Sequence, residues 1–565
     1  MFLLYFLGFE EPENLQQLNV RIKKPKKDVA YYGRLVIRQG FHFLKVMGCD
    51  TQSLRIIHSS DTHGWLWGDP HIPQINAGFA GILAFMRQQR ILNPETFVFD
   101  SGDFIMGNGL SDADTDVPIG QFVYQMWDKA LKADHYYDAI TLGNHDLMLE
   151  DSLKYLLFKS DVATSSTTTN EWYKNEDKNP GERWRIIKNG NLTTLVAGFM
   201  YNFNSQDPLV VKDFKAVFDQ DQKFKTLLQN EKPDFITILI HAGYHQHPEN
   251  AYFMYQGIRQ YTDCPVLVLG GHEHQTAYDY KISTALINGR LKWYHREVNT
   301  KWEGIFTDTY DKNFVYAETK NYFRALSLID IQFESQKSPN GSKIIKSVKF
   351  TEQITNLDEL AKLSNKQTKT FLNPFEQQLN STIQAEVKRL DLLTVIGKAP
   401  MNYIMLNPNY LTDQSSIWNL WFTQMVPMIL YPSGKLTNKT VHFLGTSFFP
   451  SDIVKGDVLK NDYYLTIPYT QEFFVIYRDV KAADLKLCFS QMNKKSAIEG
   501  FMKYFDLPVI ITIEDSEILD VVCTDYDGTR LNAKFKEHSM EYTHESFGSL
   551  SPFDIYKQYV LQYFQ

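Results

Sequence analysis

Short apolar runs of strand length alternate with longer, more polar segments over the first half of the chain. The runs are Leu54–His58, Thr96–Phe99, Ala139–Leu142, Thr193–Phe199, Phe235–Ile240 and Val266–Leu269. Between them, Gly81–Arg90 and Gly120–Lys132 place their apolar residues at helical intervals. Strands that alternate with helices predict βαβ units, and therefore an α/β fold with a largely parallel core sheet. The polar stretch Ser160–Arg183 predicts a surface insertion.

The pattern changes after Phe333, where Glu334–Lys343 is polar and rich in turn residues. Phe350–Leu393 then predicts mostly helix. Beyond it, Ile417–Ile429 predicts a helix. Four strand-like runs follow, namely Val441–Leu444, Tyr463–Ile467, Phe473–Tyr477 and Val509–Ile513. These changes predict an N-terminal segment of unclear role (1–53), a first domain (54–335), a mostly helical linker (336–392) and a smaller α/β domain (393–565).

Composition narrows the functional classes. The net charge of −8 does not favour nucleic acid or an anionic membrane as a partner, and 43% apolar residues are ordinary for a globular protein. No apolar run is long enough to predict a transmembrane helix. The apolar start Met1–Phe9 lacks the basic residues of a signal peptide, while four glycosylation sequons lean towards secretion. We therefore predict a secreted or vacuolar protein, with a cytoplasmic location as the alternative.

Five of the apolar runs are followed directly by side chains that bind metals. These side chains are Asp61, His63, Asp103, Asn144, His145, Asp146, His241, His272 and His274. Ligands bind outside the carboxyl ends of strands in α/β sheets, so these residues are expected to meet. Alternate residues of an extended segment point the same way, which would aim both members of each Asp-x-His or His-x-His pair at one ion.

Two divalent cations about 4 Å apart can clamp a phosphoryl group and supply a hydroxide. A carboxylate must bridge such a pair, and Asp103 is the candidate. Asp61, His63 and one of the two distal histidines would complete the first ion. Asn144, His241 and the other distal histidine would complete the second. Imidazole together with carboxylate suits Zn, Fe, Mn or Co rather than Ca or Mg.

These motifs resemble those of the calcineurin-like metallophosphoesterases. DTHG, GD, GNHD, HAG and GHEH stand at Asp61–Gly64, Gly102–Asp103, Gly143–Asp146, His241–Gly243 and Gly271–His274. Ser59–Trp65 and the trailing second domain resemble the 5′-nucleotidase branch, and in particular its fungal-type phosphatases. The resemblance implies a four-layer α/β/β/α sandwich for residues 54–335, followed by a 5′-nucleotidase-like α/β domain.

The resemblance also implies roles for individual residues. The first ion would be held by Asp61, His63, Asp103 and His274, and the second by Asp103, Asn144, His241 and His272. His145 would lie over the transferred phosphoryl group, and Asp146 would orient it. The implied activity is that of a dinuclear-metal phosphoester hydrolase, most simply a phosphomonoesterase that uses a metal-bound hydroxide on 5′-nucleotides or related small phosphates.

The resemblance is weaker on the substrate side. Asn108 and Tyr469 are predicted substrate contacts. Tyr469 matches the aromatic residue that stacks on a base in relatives, although a core aromatic residue explains it equally well. Pro450 stands where relatives have an arginine, and Tyr526 and Phe505 are candidate substitutes for a second stacking residue.

Two other functions stay open at this point. The same metal core could serve a phosphodiesterase or nucleotide pyrophosphatase. A scaffold or binding protein with a relic metal site is the alternative that is not an enzyme, and the intact ligand set argues against it. The predicted partner is a small phosphorylated substrate rather than nucleic acid, and the sequence does not predict an oligomeric state.

Overall fold

The protein is represented by a computed structural model that describes residues 52–133, 136–243, 248–282, 285–287, 290–292, 311–405, 409, 412–427, 439–445, 448–468, 473–499, 513–546 and 551–565. Its strands are β1 (Ser53–Ser59), β2 (Thr96–Asp100), β3 (Ala139–Ile140), β4 (Glu171–Tyr173), β5 (Arg185–Asn189), β6 (Leu192–Met200), β7 (Leu209–Val211), β8 (Phe235–His241), β9 (Val266–Gly270), β10 (Ala277–Ile282), β11 (Ala285–Ile287), β12 (Arg290–Lys292), β13 (Asp311–Glu318), β14 (Ala325–Phe333), β15 (Ile345–Ile354), β16 (Val395–Ala399), β17 (Thr440–Phe443), β18 (Gly456–Leu459), β19 (Phe474–Lys481), β20 (Ile518–Thr524) and β21 (His544–Ser546). Its helices are α1 (Gly78–Leu92), α2 (Gly109–Asp112), α3 (Gln121–Lys132), α4 (Asn144–Leu147), α5 (Glu150–Lys159), α6 (Val162–Ser165), α7 (Phe214–Gln220), α8 (Gln222–Asn230), α9 (Pro248–Arg259), α10 (Leu357–Leu363), α11 (Pro374–Arg389), α12 (Ile417–Leu420), α13 (Asp462–Thr466), α14 (Ala482–Glu499), α15 (Asp525–Glu537) and α16 (Pro552–Tyr563).

Two sheets form the first lobe. One has the strand order β15-β14-β1-β2-β3, and the other has the order β10-β13-β9-β8-β6-β5. Their inner faces share one buried cluster, to which the first sheet contributes residues such as Ile56 and Phe99 and the second contributes Leu239 and Leu269. Helices α1, α3 and α11 cover the outer face of the first sheet, while α7 to α9 cover that of the second. The predicted four-layer α/β/β/α sandwich is therefore confirmed.

All six apolar runs are strands, as predicted, and both predicted helices are present as α1 and α3. The runs do not form one sheet, however. β1, β2 and β3 lie parallel in the first sheet, while β6, β8 and β9 lie parallel in the second. Each strand is buried on both faces, once by helices and once by the other sheet, which explains why the runs are continuously apolar.

The segment 160–183 is not the surface insertion that its polarity predicts. Six consecutive residues, Ser166 to Glu171, are fully buried. Polar side chains are tolerated there because several of them bond the backbone: the amide of Asn170 donates to the carbonyls of Met200 and Lys212 and accepts from the N–H of Met200. The segment packs against the end of the first sheet, where the N–H of Thr167 donates to Ile140 O.

The predicted boundary near Phe333 is also displaced. Residues 334–343 connect β14 to β15, which pair as antiparallel neighbours within the first sheet. Phe350–Ile354 is accordingly strand rather than helix, and the helical part begins with α10. α11 begins at a capping box in which Asn373 and Glu376 bond each other's backbone N–H, with Pro374 in its first turn. Both helices pack on α1, so the predicted linker belongs to the first lobe.

The second lobe is built on a four-stranded sheet with the order β17-β20-β19-β21. The runs predicted at 441–444 and 473–477 are strands β17 and β19, but Tyr463–Ile467 forms helix α13 instead. A five-residue apolar run cannot distinguish a buried strand from a buried helical turn. The helix predicted from Ile417 continues beyond α12 as a π-turn over Trp421–Met425. Residues 509–512 of the last predicted strand lie outside the described residues.

The two lobes meet beside the carboxyl ends of β1 and β2. Nε2 of His71 lies 2.8 Å from an oxygen of Asp462 at the start of α13. The N–H of Gly109 donates to the side chain of Asn461. Trp65, Tyr322 and Leu465 form a small buried cluster across the same junction. Within the described part of the chain, no helix has both the length and the apolar character needed to cross a membrane.

Candidate metal centre

The predicted ligands follow the carboxyl ends of five strands, with Asn144 following β3 at the start of α4. β1 precedes Asp61 and His63, and β2 precedes Asp103. β8 ends at His241, and β9 precedes His272 and His274. Among the described residues, three groups of side chains have ligand atoms within 4.8 Å of one another: Asp61, His63 and His274 form the first, His63, Asp103 and His145 the second, and Asp103, His241 and His272 the third. The first and third groups each contain three of the four ligands that the resemblance implies for one ion, and only Asp103 is missing from the first group and Asn144 from the third.

Asp103 belongs to the second and third groups and also faces His63 of the first. Its Oδ2 is 3.1 Å from Nε2 of His241 and 3.7 Å from Nε2 of His63. Nε2 of His63 is in turn 3.0 Å from Nε2 of His274. The Asp103 side chain is almost fully buried. One carboxylate oxygen therefore faces both sets of imidazoles, as a bridging ligand must.

The imidazoles are oriented from behind by backbone carbonyls. Nδ1 of His63 donates to Met106 O at 2.6 Å, and Nδ1 of His241 donates to Ser101 O at 2.7 Å. These bonds place the ring protons on Nδ1 and leave the Nε2 lone pairs directed into the centre. Nε2 of His241 and Oδ1 of Asn144 are buried, and neither makes a hydrogen bond of good geometry to any described residue. Buried acceptors of this kind fit bound cations.

The backbone conformation at the ligands differs from the prediction. Asp61, His63, Asp103, His272 and His274 all have positive φ angles, between 48° and 91°. The two residue pairs therefore do not converge by alternation along an extended segment. They converge because each loop turns sharply through left-handed conformations directly after its strand. Such conformations are costly for residues other than glycine and cluster at functional sites.

Gly143 allows the closest approach in the centre. A Cβ at this position would lie 2.0 Å from Oδ1 of Asp103. The same oxygen accepts a 2.8 Å hydrogen bond from the N–H of His145. A side chain at position 143 would therefore displace the candidate bridging carboxylate.

The buried carboxylates and imidazoles of the centre shift one another's pKa values. Burial alone would raise the pKa of the Asp103 carboxyl, but the imidazoles of His241, His145 and His63 outweigh burial and hold that pKa well below its usual range. Burial opposes the charged form of His241, yet the Asp103 and Asp61 carboxylates raise its pKa to about 10. The two carboxylates thus favour positive charge beside His241, which a bound cation would supply.

His145 stands at the edge of the centre, with Nε2 4.0 Å from Oδ2 of Asp103. Burial lowers the pKa of its imidazole to about 4. Its Nδ1 lies 3.4 Å from the sulfur of Met106. The ring also packs edge-on against His63, with 4.9 Å between the ring centroids.

Asp146 does not orient His145, contrary to the prediction. Its carboxylate accepts hydrogen bonds from the backbone N–H groups of Asp103, Phe104 and Gly143 and from the hydroxyl of Tyr124. The reason is local: Asp146 is the third residue of α4, so its side chain reaches back to the N-terminus of that helix rather than to its neighbour's ring. Asp146 therefore fixes the Asp103 loop against the start of α4.

The two predicted substrate contacts have different outcomes. Asn108 is fully buried at the start of α2, where its Oδ1 accepts from Leu110 N, while its Nδ2 lacks a partner among the described residues. Tyr469 lies outside the described residues, as does Phe505. Tyr526 lies on α15 and is 47% exposed, and its hydroxyl accepts a 2.7 Å hydrogen bond from Arg530.

Two tyrosines at the centre lie outside every motif. The ring of Tyr322 packs against His63 and His274 at centroid distances of 5.6 and 5.7 Å. The ring of Tyr201 lies 4.7 Å from that of His272. Neither tyrosine was predicted, because no local sequence signal connects them to the ligands.

The comparisons with known proteins agree with this geometry. Residues 54–276 match the family model described as calcineurin-like phosphoesterase. An uncharacterized protein of Schizosaccharomyces pombe is 22% identical over 82% of this chain and 76% of its own. A protein of Arthroderma benhamiae named as a secreted protein is 24% identical over 78% of this chain and 67% of its own.

The fold is similar to that of a solved 5′-nucleotidase from Candida albicans. The TM-score is 0.72 at 16% sequence identity, and the match covers 90% of this chain and 98% of that one. At this identity the likeness concerns the fold. It extends over both lobes, beyond the residues that the family model matches.

Proposed function

We propose that the chain, whose residues 54–276 match the calcineurin-like phosphoesterase family model, is a metal-dependent phosphoric ester hydrolase, and more specifically a dinuclear phosphomonoesterase acting on 5′-nucleotides or related small phosphates. The observation that carries the proposal is the position of Asp103. Its Oδ2 faces His241 on one side and His63 on the other, at 3.1 and 3.7 Å.

We assign the first cation to Asp61, His63, His274 and Asp103, and the second to Asp103, Asn144, His241 and His272. The donor set supports this assignment, because it combines buried carboxylates, one amide oxygen and imidazoles. In His63 and His241, Nδ1 already donates to a backbone carbonyl, which leaves Nε2 for a cation. These donors suit Zn, Mn, Fe or Co. When bound, a pair of such ions supplies Lewis acidity for the phosphoryl oxygens and a nucleophile from water.

The chain's own groups have the following roles in this proposal. Asp103 would contribute a ligand to both cations, and through its Oδ1 it anchors the backbone of His145. Nε2 of His145 is directed towards the centre and exchanges a proton with the phosphoryl or leaving oxygen. Asp146 holds the loop of Asp103 and the loop of Gly143 together, because its carboxylate accepts from the N–H groups of both residues. The buried amide of Asn108 is a donor for a substrate oxygen.

Secretion is the location that we propose. The Arthroderma benhamiae relative bears that description, and Asn191 and Asn340, which begin two of the four sequons, are exposed. N-glycosidase treatment of protein from a eukaryotic host tests this, since a secreted chain should lose mass on treatment. A chain retained in the cytoplasm and without glycans would contradict the proposal.

Metal analysis and a substrate panel test the proposed activity. Protein purified without chelator should hold about two transition-metal ions per chain. It should hydrolyse p-nitrophenyl phosphate and AMP faster than bis-p-nitrophenyl phosphate, cyclic AMP or a UDP-sugar. Faster cleavage of the diesters or of the UDP-sugar would favour the phosphodiesterase or pyrophosphatase alternative. Well under one ion per chain, with no hydrolysis after metal is added, would favour a relic site.

A further inference from the structure

Met106 occupies an unusual position beside the metal centre. It is buried, with 6% of its surface exposed, and its φ angle of 68° is in the left-handed region. A long side chain in this conformation is strained, and such strain persists only where the surroundings hold it in place. Three contacts do so here, and two of them reach residues of the centre.

The main-chain contacts fix the residue itself. Its N–H donates to Oγ of Ser111 at 2.9 Å, and its carbonyl accepts from Nδ1 of His63 at 2.6 Å. Together with the carbonyl of Ile105, which lies 3.0 Å from the same nitrogen, the carbonyl of Met106 directs Nε2 of His63 towards the centre. Both bonds are made by main-chain atoms, so a substitution that keeps this backbone conformation preserves them.

The side-chain contact reaches His145. The Met106 sulfur lies 3.4 Å from Nδ1 of His145. The neighbouring carboxylate that would be the ordinary partner for this nitrogen, Asp146, is fully engaged with backbone N–H groups and Tyr124. A thioether accepts a hydrogen bond but has no proton to donate. The contact therefore favours the form of His145 that keeps a proton on Nδ1.

We propose that Met106 is a positioning residue for His145: its sulfur holds Nδ1, so that Nε2 faces the metal centre and is the nitrogen that exchanges a proton with the reacting phosphate. The expected effect of Met106 on turnover rests on the proposed function, whereas its effect on the orientation of the His145 ring does not. Nε2 of His145 lies 4.0 Å from Oδ2 of Asp103, which is the geometry that the contact with Met106 maintains.

Two variants separate the sulfur from the rest of the residue. Met106→Leu keeps a similar volume and the main-chain bonds but removes the acceptor. Met106→Gln keeps the length and restores an acceptor as an amide oxygen. Met126→Leu is the matched control, since Met126 is buried in the same apolar cluster. Thermal unfolding identifies any variant that is generally destabilised.

The first measurement does not depend on activity. Long-range 1H–15N spectra of the imidazoles, with the His145 signals assigned from His145→Ala, report which ring nitrogen carries the proton. In the wild type and in Met126→Leu we expect a protonated Nδ1 on His145. In Met106→Leu we expect a shift towards the form protonated on Nε2. A wild-type His145 protonated on Nε2, or unchanged signals in Met106→Leu, would overturn the proposal.

The second measurement is the kinetics on p-nitrophenyl phosphate with metal content determined in parallel. Met106→Leu should keep its metal and its KM but lose about two- to tenfold in kcat, the range that corresponds to a contact between a thioether and a ring. Met106→Gln should recover most of that loss. Equal kcat for the leucine variant and the wild type, or no recovery with glutamine, would contradict the role of the sulfur. If metal-loaded wild type hydrolysed no phosphoester, the proposed function would fail, and the nitrogen signals would still decide the role of Met106.

Discussion

The two oxygens of Asp103 serve different neighbours, because Oδ1 accepts the N–H of His145 at 2.8 Å while Oδ2 faces the imidazole of His241 at 3.1 Å. The candidate bridging carboxylate is thereby tied to the backbone of the candidate proton-transfer residue. This bond fixes the orientation of the Asp103 carboxylate. A preorganised ligand of this kind lowers the reorganisation needed when metal and substrate bind.

Asp103→Asn should abolish both metal binding and turnover. The amide oxygen can still accept from the N–H of His145, so the NH2 group is directed towards the imidazoles and the cation positions. Metal content should fall well below that of the wild type, and kcat should fall by more than about 100-fold, the upper range for loss of a partner that only supports a ligand. Inductively coupled plasma mass spectrometry and a phosphatase assay measure the two effects.

Asp100→Asn is the matched control for this change. Asp100 is also fully buried, but its carboxyl bonds Ser59 and Gly102 and is not part of the ligand groups. It should retain its metal. Wild-type metal content in Asp103→Asn would contradict the bridging role.

His145→Ala should separate chemistry from metal binding. The imidazole is absent from the two groups to which we assign the cations, and the N–H that bonds Asp103 belongs to the backbone and is preserved. We expect the metal content of the wild type and a loss of kcat of about 10²- to 10⁴-fold, which is typical for a group that transfers a proton. An unchanged kcat with full metal content would show that His145 has another role.

Asn108→Ser tests the substrate contact. Serine is also a favourable N-cap, so α2 should keep its start, whereas the buried Nδ2 donor is lost. A lost hydrogen bond to a charged oxygen is worth about 2 kcal/mol, which predicts a decrease in kcat/KM of roughly 30-fold. The melting temperature should change little. If Asn108→Ser lowered the melting temperature together with kcat/KM, the residue would act only as a helix cap.

The ligands could be predicted from the sequence because each follows a buried strand. The strands Phe235–His241 and Val266–Gly270 are continuously apolar, and the polar residues directly after such strands must lie at the edge of the sheet. The order of the motifs along the chain then determines which residues meet. The division of the strands between two sheets could not be predicted in this way, because a strand buried by a second sheet and one buried by a helix have the same apolar pattern.

The failures concern side chains whose partners are distant in the chain. Asp146 was assigned to its neighbour His145, but backbone N–H groups 42 and 43 residues earlier are among its partners. The composition of residues 166–171 predicts exposure, yet the carbonyl of Thr167 accepts from the hydroxyl of Thr141, and the amide of Asn170 donates to the carbonyls of Met200 and Lys212. Polarity predicts exposure only when such internal partners are absent.

Glu171 provides the last prediction, which concerns stability and pH. It is fully buried on β4, and neither of its carboxylate oxygens has a side-chain partner. Burial raises its pKa from 4.5 to about 8. The folded protein therefore holds a proton on Glu171 that the unfolded chain releases above about pH 4.5. The free energy of unfolding should fall as the pH rises from about 5 to about 8, by up to about 1.4 kcal/mol per pH unit from this group alone.

Glu171→Gln removes that dependence, so the variant should gain stability relative to the wild type as the pH rises through this range. The exposed neighbour Glu176 provides the control, and Glu176→Gln should leave the slope unchanged. Thermal unfolding of metal-loaded protein at pH 5.5, 6.5, 7.5 and 8.5 measures the difference in stability between Glu171→Gln and the wild type. If that difference does not vary with pH, the carboxyl is ionised in the folded state and a partner compensates for its burial.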